Sequence, residues 1–149
     1  GAWLDRVGQP AREAIARAQL KVCVASSDVH EHGKNLIEHL LQRLGADTID
    51  GGTSADADDL VGIAVANGCD LIAISTYNGI ALRFAKEVQA ALDRAGAGIR
   101  VCIGGRLNQI PEDSNSGLPV DVTAELSALG VIPCPTPERM VAELERLAK

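Results

Sequence analysis

LKVCVASSDVHEHGKNLIEHLLQRLG, residues 20–45, decides the fold. Its first seven residues, 20–26, are a short apolar run rich in Val, as a strand covered on both faces requires. Residues 34–44 then put Leu36, Ile37, Leu40, Leu41 and Leu44 on one helical stripe, and Gly45 ends that helix as a C′ glycine. The rest of the chain repeats this strand–helix unit. ADTIDGG (46–52) is a weak second strand, with Gly51-Gly52 as its turn. Ser54 is placed to cap a helix over about 55–67 that Gly68 closes. CDLIAIS (69–75) is the strongest strand, and a helix over about 79–95 follows it and ends at Gly96. IRVCIGG (99–105) is the next strand, and RLNQIPEDSNSGLP (106–119) a polar loop with two prolines. A helix over about 120–129 ends at Gly130, VIPC (131–134) is a last strand, and 136–149 a last helix with Pro137 in its first turn.

Five apolar strands alternating with helices predict an α/β fold. The strand count fits a flavodoxin-like (Rossmann-like), doubly wound, five-stranded parallel sheet of order 2-1-3-4-5. Residues 1–19 read as a preceding helix or linker and 20–149 as the folded unit. The 149 residues, 46% of them hydrophobic, suit one domain that buries roughly 70% of its unfolded surface without disulfides. A net charge of −6 without a basic run argues against nucleic acid or an anionic membrane as partner. Trp3, Tyr77 and Phe84 are the only aromatic residues, too few for a base-stacking platform. No apolar run approaches the roughly 20 residues of a membrane span. Cys23, Cys69, Cys102 and Cys134 form no CxxC pair and read as small hydrophobes in or beside strands, with Cys134 near enough a loop to touch a ligand. Reduced thiols and no visible signal peptide point to the cytoplasm. The chain begins Gly1-Ala2 without Met, as a piece of a longer protein would.

Sheets of this kind bind ligands beyond the carboxyl ends of their strands. Asp28 and His30 lie two apart on the first such loop. A metal-ligating His usually gives its other ring N–H to a carboxylate, and Asp28 is placed to receive it. Imidazole suits late first-row metals, cobalt among them. One His supplies one axial position, which serves a macrocycle with its own equatorial ligands better than a bare ion. A zinc pair of His30 and His32, with Asp28 beside it, would need a further strong ligand in reach. His32 therefore reads as a solvated neighbour and His39, in or beside the next helix, as structural. Gly33 and Gly104-Gly105 leave space for a bulky ligand. Tyr77 either stacks on the pocket and seals it or covers the sheet edge. A phosphoacceptor receiver domain, which shares the sheet order, is excluded because strand 3 ends in Ser75 instead of Asp.

Asp28-x-His30-x-x-Gly33, then Ser75-x-x, then Gly104-Gly105, each after its strand and in order, resembles the cobalamin-binding domain signature DxHxxG…SxL…GG. The resemblance covers about residues 20–148. It implies that His30 takes the lower axial position on cobalt in place of the cofactor's own dimethylbenzimidazole, with Asp28 on its far nitrogen. It places Val29, Glu31, His32, Thr76 and Tyr77 around the same ligand. Gly33, Ser75, Gly104 and Gly105 would border the displaced nucleotide tail, and Pro135-Thr136 would close its end. Two departures stand out. Tyr77 replaces the Leu of SxL, and Val24 stands where acyl-CoA mutases often carry a relay Lys.

By this resemblance the chain is the cofactor-holding subunit or domain of an adenosylcobalamin-dependent carbon-skeleton mutase, a radical isomerase. It would work beside a larger substrate-binding partner, a TIM barrel, and would not turn over alone. The alternatives are a methylcobalamin-type corrinoid methyl carrier or methyltransferase module, and a cobalamin sensor. Asp28-Val29-His30 followed by Gly33-Lys34-Asn35 looks like the methyl-transfer branch.

Overall fold

The computed structural model describes residues 9–111 and 117–148. Trp3 and the start of the N-terminal segment lie outside the described residues. The elements are α1 (Gln9–Ala18), β1 (Lys21–Ser26), α2 (Glu31–Arg43), β2 (Asp47–Gly52), α3 (Ala57–Ala66), β3 (Leu71–Thr76), α4 (Ala81–Ala95), β4 (Arg100–Gly105), β5 (Asn108–Gln109), β6 (Val120–Asp121), α5 (Thr123–Ala128), β7 (Ile132–Cys134) and α6 (Pro137–Ala148). Five strands form one parallel sheet in the order β2-β1-β3-β4-β7, which is the expected 2-1-3-4-5 winding with β7 as fifth strand. The fold is flavodoxin-like.

Strand side chains alternate between the two faces. Cys23, Ala25, Ile72, Ile74, Val101 and Ile103 pack with Leu60, Phe84, Val88 and Leu126 from α3, α4 and α5. Val22, Val24, Leu71, Ala73, Cys102 and Cys134 pack with Ile15, Leu41, Leu44 and Leu144 from α1, α2 and α6. So α1 belongs to the core of the second face through Ile15, which is fully buried. All four cysteines are free and buried, and burial pushes the Cys23 thiol up to about 12.

Three regions and one side chain differ from the sequence reading. Helix α2 begins at Glu31, not near residue 34, so His32 and Gly33 lie in its first turn. Asp56, not Ser54, caps α3 by accepting the Asp59 N–H at 3.0 Å; Ser54 sits two residues outside, with φ +47°. The 106–119 loop contains a strand: β5 pairs antiparallel with β6, which takes up residues assigned to the following helix, and α5 starts only at Thr123. His39 is exposed, so it has no structural role in the core.

Candidate functional site

Register carries four strand ends to the same level. Ser26 pairs with Ser75, Ser75 with Gly104, and Gly104 with Cys134. One step down on the same face the row is Val24, Ala73, Cys102 and Ile132. The side chains of that face thus shrink toward the carboxyl edge while α2 and α6 continue across it. Small residues under two continuing helices leave a void of about 260 Å³. Gly33, Ser75, Gly104, Gly105, Pro135 and Thr136, the residues expected to border and close a nucleotide tail, line it, and Cys134 joins them. Leu36, Ile37, Leu40, Pro137 and Met140 also line it and were missed, because apolar residues at helical spacing look like core.

The glycines have different reasons to be glycine. A Cβ on Gly33 would collide with the Ser75 hydroxyl, and one on Gly104 would come within 3.0 Å of the Cys134 carbonyl oxygen. These two let α2 pack against the end of β3 and β4 against β7 where the cavity is lined. Gly105 has φ +99°, and its Cβ would collide with the Thr76 carbonyl oxygen, so the backbone itself demands it. Ser75 is buried, and its hydroxyl makes no side-chain hydrogen bond among the described residues while facing the cavity.

Above this void the β1–α2 loop is fixed from within. The Ser26 hydroxyl lies 2.8 Å from the Asp28 carbonyl and 3.2 Å from that of His30, and accepts the Asp28 N–H at 3.2 Å. Asp28 is buried. Its Oδ2 accepts the N–H groups of Tyr77 (2.8 Å) and Asn78 (3.0 Å) from the end of β3. Its Oδ1 accepts the His30 N–H at 3.0 Å and faces His30 Nδ1 at 3.0 Å. Burial pushes the Asp28 pKa up, but these hydrogen bonds outweigh it and hold the carboxyl below its usual range. An ionised carboxylate only accepts, so Nδ1 carries the proton and Nε2 presents a lone pair. His30 is the N-cap residue of α2, makes no capping bond, and leaves its side chain 45% exposed. The imidazole is therefore oriented and open.

The remaining predicted residues separate into two groups. Val29, Glu31 and His32 are exposed on the rim around His30 and do not line the cavity. Thr76 is buried and bonded to the Ser27 hydroxyl at 2.9 Å, joining the ends of β1 and β3 without reaching the cavity. Tyr77 lies against the His30 ring, with ring centroids 4.2 Å apart. Lys34, one residue beyond Gly33, is buried and pairs with Glu38 and, at 3.0 Å, Asp50, tying the first turn of α2 to β2. Among the described residues no three His, Cys, Asp or Glu gather as a metal cage, and no helix is long and apolar enough to cross a membrane.

The family model described as "B12 binding domain" matches residues 20–126. No curated protein matches the sequence. Among solved structures, the chain is similar to a cobalamin-binding protein from Desulfitobacterium hafniense (19% identity, TM-score 0.66, covering 86% of this chain and 58% of that one). It is similar to the methanol:cobalamin methyltransferase complex of Methanosarcina barkeri (20%, 0.61, 88% and 45%). It is also similar to the monomethylamine corrinoid protein of Methanosarcina barkeri (16%, 0.61, 93% and 60%). At these identities the likeness is one of fold, and the chain spans between 45% and 60% of those structures.

Proposed function

The chain belongs to the B12-binding domain family, and from that premise we propose that it carries a corrinoid on His30 as the cofactor-holding unit of a methyltransferase system. The observation behind this reading is the pairing of a braced, open imidazole with a void beside it on the same helix. His30 caps α2, and Gly33, Ile37 and Leu40 of that helix line the void. The residues present fit such a group. Gly33, Gly104 and Gly105 line the void without adding a side chain to it, and the Ser75 hydroxyl faces it without a side-chain partner among the described residues. His30 would hold the metal, Asp28 would fix its tautomer, and the cavity would take the nucleotide tail. When bound, a corrinoid supplies a cobalt centre able to accept and donate a methyl group. The chain's own residues bind it, orient it and shield its tail from water.

A mutase with adenosylcobalamin would use the same residues. Two points favour the methyl carrier. Two of the similar structures described above are named as a methyltransferase complex and a corrinoid protein. Val24 stands where the mutase relay lysine would be, and Lys34 instead pairs with Glu38 and Asp50. A larger partner subunit, a TIM barrel by resemblance, would bring the substrate.

The test is to add hydroxocobalamin to the chain and to its His30→Ala variant and compare optical spectra. The wild type should give a protein-bound, base-off form with nitrogen ligation, and the variant should lose that ligation. Identical spectra would remove His30 as ligand. Methyl exchange with a partner methyltransferase, and no carbon-skeleton rearrangement with a mutase barrel, would support the carrier; the reverse would restore the mutase.

A further inference from the structure

Tyr77 departs from the family signature, and the structure gives it three connections to the site. Its backbone N–H donates to Asp28 Oδ2 at 2.8 Å. Its ring lies on the His30 ring with centroids 4.2 Å apart and planes inclined by 31°. The Arg106 guanidinium carbon sits over the Tyr77 ring, 4.2 Å from its centroid. Arg106 is itself anchored, since its N–H donates to the Thr76 carbonyl at 2.9 Å. The stack therefore draws on the ends of β1, β3 and β4. The Asp28 contact fixes one ring atom of His30 and does not by itself set the tilt of the ring plane. A flat ring against the imidazole removes that freedom, and a cation near the tyrosine favours its electron-rich face. Leu, the signature residue, has no such face to offer.

We propose that Tyr77, backed by Arg106, is a positioning residue that sets the plane of the His30 imidazole and so the fraction of bound corrinoid that His30 ligates. This deepens the reading above and rests on it. An aromatic pair of this kind is worth about a 2- to 12-fold bias in an equilibrium. Tyr77→Leu should lower the ratio of His-ligated to water-ligated Co(II) cobalamin by that factor, read from the nitrogen splitting in electron paramagnetic resonance. Tyr77→Phe should restore it, and Arg106→Met should give a smaller loss.

A second readout needs no cofactor. In the apo protein with ¹³C-labelled His, the His30 ring protons should be shifted by the Tyr77 ring current. They should move toward free-imidazole positions in Tyr77→Leu and stay in Tyr77→Phe. Unchanged ring shifts in Tyr77→Leu, or a Tyr77→Phe variant as impaired as Tyr77→Leu, would overturn the proposal. Should Tyr77→Leu fail to fold, Arg106→Met decides: an unaltered ligation ratio in it overturns the backing role, and a reduced one supports it. If instead wild-type and His30→Ala proteins give the same cobalt spectrum, the parent reading fails whatever the apo shifts show.

Discussion

The two faces of the sheet use the same strands to opposite ends. On one face Ile72, Ile74, Val101 and Ile103 meet Leu60, Phe84, Val88 and Leu126, and the packing is continuous. On the other, Val22 and Leu71 give way to Val24, Ala73 and Cys102 and then to Ser75 and Gly104, and the packing stops short of the carboxyl edge. The cavity arises here because side-chain volume is removed from one row. The difference also separates residues that hold the protein together from residues that hold space open.

The largest effect should come from breaking the imidazole's support. Asp28→Asn leaves the loop near its place but gives Nδ1 a weaker and ambiguous partner, and should weaken corrinoid binding about 10- to 100-fold by equilibrium titration. Next, the cavity can be filled from its wall. Gly33→Leu puts a side chain against Ser75 and into the void, and should sharply weaken cobalamin binding. It should spare cobinamide, which has no nucleotide tail. Equal losses for both would mean that the tail lies elsewhere.

The third comparison is between the faces themselves. Leu60→Ala opens a new hole in the sealed face and should cost about 3–5 kcal/mol in denaturant unfolding. Leu40→Ala removes atoms that already border a void, so the added cavity is small and about 1 kcal/mol is expected. Equal costs would show that the void closes in solution. The smallest effect concerns pH. The folded pKa of Asp28 lies below its unfolded value, so its contribution to stability is whole above pH about 4 and is lost as pH falls through the folded value. The gap in unfolding midpoint between wild type and Asp28→Asn should therefore narrow as pH falls below about 4.

Much of this architecture is legible in the chain. Val22–Ala25, Leu71–Ile74 and Val101–Ile103 are apolar without alternation, and only a sheet covered on both sides accommodates that. Asp28, His30, Gly33 and Ser75 fall at strand ends, where topology gathers them. What stayed hidden depends on tertiary context. Ser54 and Asp56 are both good caps by chemistry, and the left-handed turn at Ser54 chose between them. Strands β5 and β6 have two residues each, held by a bridge from Ile80 to Gln109, which is below any periodic signal. Leu36 and Met140 line the void although their spacing assigns them to the core. His39 lies two residues beyond Ile37 on α2, about 200° around the helix, which turns it outward. The ring contact between Tyr77 and His30 joins loops 47 residues apart, and no local pattern encodes it.

The central claim, that His30 is the protein's hold on the metal of a corrinoid, is tested most directly by electron paramagnetic resonance of the Co(II) cobalamin complex made with ¹⁴N-His and with ¹⁵N-His protein. The account predicts a three-line nitrogen splitting that becomes two-line on labelling and disappears in His30→Ala. A pattern indifferent to the label, or one that survives in His30→Ala, would contradict it.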